Sequence, residues 1–282
     1  FAIGDMRACE RRSDETVRVR VATTLELRAG ERFLRVAHEI DNQARDHRLR
    51  AHFPLPAAVT GSDAECAFTV VHRGLTAEGG THEFGLPTFP SRRFVDASDG
   101  TTGLALLHDG LLEYEVVRDG HELALTLLRA TGYLSRAEPQ LRPNPAGPTD
   151  PIEGAQVQGT QRVTYAVLLH RGDWRAAECY AAADAFLVPL ERTRVGATTR
   201  SRPDHGSELS VEGAEVSALL RTPGAVQLRV FRSDANEGVV TIERAGVPAR
   251  GWIVDLRGAP LAPFIGEVTL RPWELCTLAL KD

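Results

Sequence analysis

The 282-residue chain carries 33 Lys and Arg against 38 Asp and Glu, a formal net charge of −5, and 43% of its residues are hydrophobic. That is enough to build one large β domain or two of unequal size, each with its own core. The basic residues are dispersed rather than gathered into the patch that nucleic acid demands, and no run approaches the roughly 20 apolar residues of a bilayer-spanning helix, so neither nucleic acid nor a membrane is an expected partner.

At the start, residues 1–12 lack the charged-then-apolar order of a secretory leader, and a cytoplasmic location is expected. The four cysteines, Cys9, Cys66, Cys179 and Cys276, are too far apart for a structural zinc site and read as single thiols in a reducing compartment. A chain that opens on Phe1 with Met6 as its one methionine reads as a piece of something longer.

Alternation with period two then dominates. Val17, Val19 and Val21 interleave with Arg18 and Arg20, which predicts a strand with valines on one face and arginines on the other. Strands are expected over 33–41, 49–55 and 66–73, divided by Ala29-Gly30 and Asp41-Asn42-Gln43. The runs 103–107, 111–117 and 122–129 are separated by His108-Asp109-Gly110 and Arg118-Asp119-Gly120. Asp-Gly favours tight turns, so two consecutive hairpins are predicted.

From 131 to 159 the pattern lapses into a segment rich in Pro, Gly and polar residues, including Arg142-Pro143-Asn144-Pro145. Loops of that length inside a compact domain are usually either functional or disordered, and an ordinary surface excursion stays open beside a functional one. After a strand over 162–170 comes the one good helical stretch, 174–187, with Asp173 as its N-cap and Trp174, Ala177, Tyr180 and Ala181 along one face. The stretch 191–207 reads as a boundary. Strands resume over 209–220, 225–231, 239–242, 251–255, 268–270 and 275–280, so the domains are expected at 1–195 and 196–282.

Chemistry is sparse in the residues themselves. There is no Gly-x-Ser-x-Gly, phosphate-binding glycine loop or His-Glu-x-x-His, and the nine histidines have no diagnostic spacing. His47 and His52 are expected on opposite sides of their segment, and Asp46-His47-Arg48 reads as a charged, solvated turn. Trp252 and Trp273 suit either a sugar-stacking platform or the core of the second domain. In and beside the long loop, Arg129, Tyr133, Arg136, Arg142, Gln156 and Gln158 offer directional hydrogen bonds to hydroxyls or a carboxylate, and these are the candidate substrate-binding residues; no catalytic or metal-binding residue is assigned.

An ordered series of motifs gives a family. The run Phe89-Pro90-Ser91-Arg92-Arg93-Phe94-Val95-Asp96-Ala97-Ser98-Asp99 is followed by Gly103-Leu104-Ala105-Leu106-Leu107-His108-Asp109-Gly110 and by Leu123-Ala124-Leu125-Thr126-Leu127-Leu128-Arg129. Tyr165-Ala166-Val167-Leu168-Leu169-His170-Arg171-Gly172-Asp173-Trp174 comes next. The chain resembles the C-terminal β region of glycoside hydrolase family 38, the α-mannosidases, closely over 15–190 and more loosely through Pro272-Trp273-Glu274-Leu275-Cys276. Gly132-Tyr133-Leu134-Ser135-Arg136, Arg142-Pro143 and Ala155-Gln156 look most like the bacterial branch with mannosylglycerate hydrolases.

The resemblance implies an all-β chain, a large galactose-mutarotase-like supersandwich followed by a small β-sandwich. It also implies that the chain is non-catalytic: the family's aspartate nucleophile, acid/base carboxylate and zinc ligands belong to an N-terminal catalytic domain, and no cofactor is expected here, zinc being expected in that domain. The expected partners are that domain and a mannose-containing sugar, with 129–158 reaching toward the pocket. Two other readings stay open. One is a free-standing carbohydrate-binding module; the other is a mutarotase-like sugar epimerase, which needs a histidine among His52, His72 and His82 to converge with a carboxylate on one face.

Overall fold

The computed structural model describes residues 14, 16–77, 79–82, 85–135, 145, 147–192 and 206–281. The chain divides into two compact units, the larger made of Phe1–Cys66 and Val71–Pro189, the smaller of Ala67–Val70 and Leu190–Asp282.

Up to residue 171 the strands are β1 (Arg20–Glu26), β2 (Leu34–Asn42), β3 (Arg48–Pro54), β4 (Gly61–Cys66), β5 (Thr69–Gly74), β6 (Phe89–Pro90), β7 (Phe94–Ser98), β8 (Thr102–His108), β9 (Glu113–Val117), β10 (Glu122–Arg129) and β11 (Gly159–Arg171). They form a seven-stranded sheet ordered β1-β2-β11-β8-β7-β4-β5 and a four-stranded sheet ordered β3-β10-β9-β6. Alternation puts Val36 and Ile40 of β2, Val95 and Ala97 of β7, Leu104 and Leu106 of β8 and Tyr165 of β11 on the inner face of the wide sheet. Tyr114, Leu123, Leu125 and Leu127 meet them from the narrow one. This is the sandwich core, all-β as the sequence predicts.

The wide sheet is covered on its other face too. Ala105 and Leu107 of β8 are fully buried there, under the helix α1 (Cys179–Leu187), which is why 103–107 reads as a continuous apolar run instead of an alternating one. Phe94, Trp174 and Tyr180 cluster beneath it, with ring centroids 5.2–6.2 Å apart. The helix is shorter than the predicted 174–187. Asp173 does cap a turn, its Oδ1 accepting the Arg175 and Ala176 N–H groups, but Glu178 then adopts φ 52 and regular helix begins at Cys179. In a continuous helix Trp174 and Tyr180, six residues apart, would point about 120° from each other and not along the one face expected; with the break at Glu178 both pack on Phe94.

Three further expectations are corrected. The 66–73 strand is a hairpin, β4 and β5 joined through Ala67 and Phe68, with Phe68 at φ 61. Only one of the two Asp-Gly turns makes a hairpin: Arg118-Asp119-Gly120, all at positive φ, joins β9 to β10, whereas His108-Asp109-Gly110 carries the chain from one sheet to the other. The first strand starts at Arg20, so of the three early valines Val19 packs against the core while Val17 and Val21 stay exposed.

In the smaller unit β12 (Leu209–Glu212), β13 (Glu215–Thr222), β14 (Ala225–Phe231), β15 (Gly238–Arg244), β16 (Val247–Pro248), β17 (Arg250–Val254), β18 (Pro260–Ile265), β19 (Glu267–Leu270) and β20 (Leu275–Lys281) form one nine-stranded sheet. Gly213, at φ 82, splits the predicted 209–220 strand into β12 and β13. The sheet folds over so that Val240 and Ile242 from one half meet Leu228, Val230, Leu278 and Leu280 from the other in a single apolar core.

Candidate functional site

The base of the 131–159 segment is knotted to the turn after β2. Asp46, held at φ 51, accepts the Gly132 N–H at 2.7 Å through Oδ1. The same oxygen accepts Gln156 Nε2 at 2.7 Å, and Gln156 Oε1 accepts the Asp46 N–H at 2.9 Å. Gln156, only 1% exposed, sits in a 3-10 turn over Glu153–Gln156. Beside it the buried Asn42 donates to the carbonyls of Gln156 and Val157 at 3.0 and 2.8 Å, and Gln158 donates to the Ala44 carbonyl at 2.7 Å. Backbone bonds from Ala130 to His47, Thr131 to Ala155 and Ile152 to Gly132 complete the closure. With the buried amides of Asn42 and Gln156 and the Asp46 carboxylate all hydrogen-bonded, this knot fixes where the segment leaves the sheet.

Two of the candidate residues are thereby placed. The side-chain amides of Gln156 and Gln158 serve the chain's own backbone and Asp46. Tyr133 lies half-buried just past the knot, its backbone bracketed by the Thr131 hydroxyl, which donates to the Tyr133 carbonyl at 2.8 Å. Arg136 and Arg142 lie outside the described residues. His47, next to Asp46, has both ring nitrogens enclosed without a partner among the described residues, and burial lowers its pKa, so the ring is neutral.

Arg129 belongs to a second feature, the outer face of the narrow sheet. β3 presents Arg48, Arg50 and His52, β9 presents Glu113 and Glu115, and the central strand β10 presents only Ala124 and Thr126 between them. Because those two are small, long side chains from the flanking strands meet above them: Arg50 bonds Glu115, and Arg48 bonds Glu113 at 3.1 Å. Thr126 donates to Glu113 Oε1 at 2.7 Å. A register shift between Thr126 and Leu128 changes the phase of β10. Leu127 and Leu128 are therefore both buried, and Arg129 arrives on the outer face, 3.3 Å from Glu113. Burial pushes the Glu113 carboxyl up, but the bonds from Thr126 and Arg48 outweigh it and hold its pKa below the ordinary value.

At the far end of this face His52 bonds Glu122, which is also 3.1 Å from Arg118; on the wide sheet His72 lies 3.2 Å from Asp63. A histidine and a carboxylate thus do converge. Among the described residues no three His, Cys, Asp or Glu side chains form a metal-binding group. Cys66, Cys179 and Cys276 are single thiols, and Cys9 lies outside the described residues.

Elsewhere, Trp252 is 43% exposed on β17 and Trp273 is half-buried at φ 60, so neither enters the core of the smaller unit. Sequence reasoning missed Asp46 and Asn42. Asp46 stands in a segment that reads as a solvated turn, and the one available signal was its place in an Asp-rich turn where positive φ is tolerated.

Residues 10–145 match the sequence profile of the Glycosyl hydrolases family 38 C-terminal domain. A protein of Halalkalibacterium halodurans bearing the name mannosylglycerate hydrolase is 34% identical over 280 residues, a match that covers 96% of this chain and 29% of that protein. Two solved Enterococcus faecalis structures, one described as a protein in the glycosyl hydrolase family 38 and one as an alpha-mannosidase, share its fold. Their TM-scores are 0.77 and 0.78 at 22% and 23% identity, over 96% of this chain and 31% and 30% of theirs. The chain therefore spans about three tenths of the length of these relatives.

Proposed function

We propose, from the match of residues 10–145 to the family 38 C-terminal domain, that the chain is the non-catalytic β region of an α-mannosidase-type glycosidase, bracing a catalytic domain and lending the 129–158 stretch to its sugar pocket. The observation that carries this reading is the knot of Asp46, Asn42, Gln156 and Gln158. It holds the ends of a long polar segment in one place, as a loop that must meet a ligand in fixed geometry requires. Tyr133 stands just past the knot and Arg129 on the outer face of the narrow sheet, and on this reading their phenol and guanidinium groups bond sugar hydroxyls or a carboxylate; Arg136 and Arg142 extend the same proposal.

The substrate class is a mannose-containing sugar, by analogy with the names the relatives carry. Nucleophile, acid/base carboxylate and zinc belong, on this reading, to the catalytic domain. Among the described residues no helix is long and apolar enough to cross a membrane. A cytoplasmic location is part of the proposal. The test is direct: the 282-residue chain should show no turnover of an aryl α-mannoside, and turnover by the chain alone would sink the reading.

The pairing of His52 with Glu122 keeps the mutarotase-like reading as a second one, since an exposed imidazole oriented by a carboxylate suits proton transfer. Polarimetry on freshly dissolved aldoses separates the two. Faster mutarotation with the wild-type chain than with His52→Ala supports the epimerase, and equal rates dismiss it.

A further inference from the structure

The helix α1 roofs part of the outer face of the wide sheet and then stops. At its last two residues, Phe186 and Leu187, a cavity of about 230 Å³ opens between the helix end and the strands beneath. Strand register sets its floor. Val36 and Tyr165 point into the core, so Ala37 and Thr164 beside them point outward. Ala37 lies between Thr24 of β1 and Thr164 of β11, its partners on either side. Asp109 follows directly on His108, which pairs with Tyr165, and so extends the same row. The two threonines stand about 10 Å apart, two strand spacings, with only the Ala37 methyl between them.

The wall above this floor is held in place. Arg35 donates to the carbonyls of Ala185 and Phe186 at 3.3 and 3.4 Å, and Glu31 grips the same guanidinium through both oxygens at 2.7 Å. The cavity thus belongs to the packing of helix on sheet.

Its polar groups fall into two kinds. Arg35 is taken up by Glu31, and Glu26 by Arg28 at 2.8 Å. The side chains of Thr24, Thr164 and Asp109 make no hydrogen bond or ion pair among the described residues, and all three line the cavity. Asp109 is therefore the one charge of the lining left unpaired, and it repels phosphates and carboxylates. A metal ion finds too few ligands, because no three His, Cys, Asp or Glu side chains gather among the described residues. A carboxylate that only accepts, and two hydroxyls that accept or donate, suit a neutral ligand carrying several hydroxyl groups. Phe186 and Leu187 beside them suit the C–H face of a ring. The volume is below the roughly 300 Å³ at which drug-sized sites begin, which limits the occupant to about one ring. We propose that this cavity binds a single neutral pyranose, with Asp109 accepting from its hydroxyls. The site uses no residue of 129–158 and does not rest on that stretch meeting sugar.

Amide NMR spectra of the 282-residue chain titrated with methyl α-mannopyranoside should show saturable shifts at Thr24, Ala37, Thr164 and Asp109, with a millimolar midpoint. Asp109→Ala removes the charged acceptor from an exposed position without positive φ, and should weaken binding about tenfold while the urea midpoint holds. Ala37→Leu fills the floor from a strand position and should abolish binding, with circular dichroism unchanged. No saturable shift below about 100 mM overturns the proposal. So does full affinity in Asp109→Ala, or glycerate or phosphate displacing the glycoside at these residues. Shifts confined to 129–158 overturn it as well, while leaving the pocket proposal for that stretch intact.

Discussion

Around the core of the larger unit lie Asn42, Ser62, Glu65, Ser91, Asp96, His108, Glu122, Thr126 and Gln156, all buried, whereas in the smaller unit the buried polar side chain among the described residues is Thr277. Inside the core of the smaller unit, apolar packing dominates. Leu228, Val230, Ile242, Leu278 and Leu280 need only apolar neighbours of the right volume, and such contacts tolerate small shifts of one strand against another. A buried polar side chain tolerates none, because its partner must sit within hydrogen-bond reach. The larger unit therefore specifies strand positions more sharply, and it is also the unit that carries the long loop.

His170 and Asp96 show how far that specification goes. The His170 ring lies across β8 to reach Asp96 on β7 at 2.8 Å, and it can do so because the residue beneath it is Gly103: a Cβ there would come within 2.5 Å of the ring. Burial raises the pKa of Asp96 even with His170 beside it; burial acts to lower that of His170, but the bond to the Asp96 carboxylate and its charge outweigh this and raise it.

The contrast can be broken most forcefully at Glu65. It is fully buried, and the Arg93 guanidinium grips both its oxygens at 2.7–2.9 Å while also reaching Asp184 on α1. Arg93→Met leaves that carboxylate without its main partner, with Arg92 at 3.3 Å from the surface as the remaining one. The expected loss is about 3–5 kcal/mol, a large share of a domain's stability. Urea unfolding followed by probes in each unit should show the larger unit's midpoint fall and the smaller one's hold. A change in the larger unit below about 1 kcal/mol would mean that its polar ring is not structural.

Acid offers a subtler test. His108 is fully buried with Nε2 2.7 Å from the Ser91 hydroxyl, and burial lowers its pKa from 6.5 to about 4. Between those values the unfolded chain takes up a proton that the folded chain refuses. Stability of the larger unit should therefore fall as pH drops from 6.5 toward 4, by on the order of 3 kcal/mol in all. His108→Gln can bond Ser91 without titrating and should flatten that slope. The lowered pKa of Glu113 acts in the same direction but below the ordinary carboxylate range, so the two windows are separable.

Much of the fold was legible in the sequence, and the exceptions share a cause. β2, β3, β11, β14 and β20 follow from alternation and punctuation alone, which are local. The Asp-Gly turns at 109–110 and 119–120 look alike, yet one closes a hairpin and the other changes sheets. What separates them is the burial of β8 on both faces, a tertiary fact. The β4–β5 turn at Ala67 and Phe68 has no Gly or Pro to announce it.

At the site, Gln156 and Gln158 were recognisable as hydrogen-bonding groups, but their partners Asp46 and Ala44 lie more than a hundred residues away in the chain. The bulge that turns Arg129 outward is hidden within the apolar run of 123–128.

The smallest expected effect is the one that separates holding the loop from using it. Gln156→Ala removes two side-chain bonds to Asp46 in a buried setting and should cost about 1–3 kcal/mol, with faster hydrogen exchange at the Asp46 and Gly132 amides. Arg129 has a side chain 68% exposed and a single ion pair at 3.3 Å, so Arg129→Ala should change stability by about 0–1 kcal/mol. If the proposed glycosidase activity is right and Arg129 reaches the sugar, the same substitution in the longer protein raises KM with little change in melting temperature, whereas Gln156→Ala shifts both. Equal and small effects on KM from the two would place the pocket elsewhere and leave the knot as architecture alone.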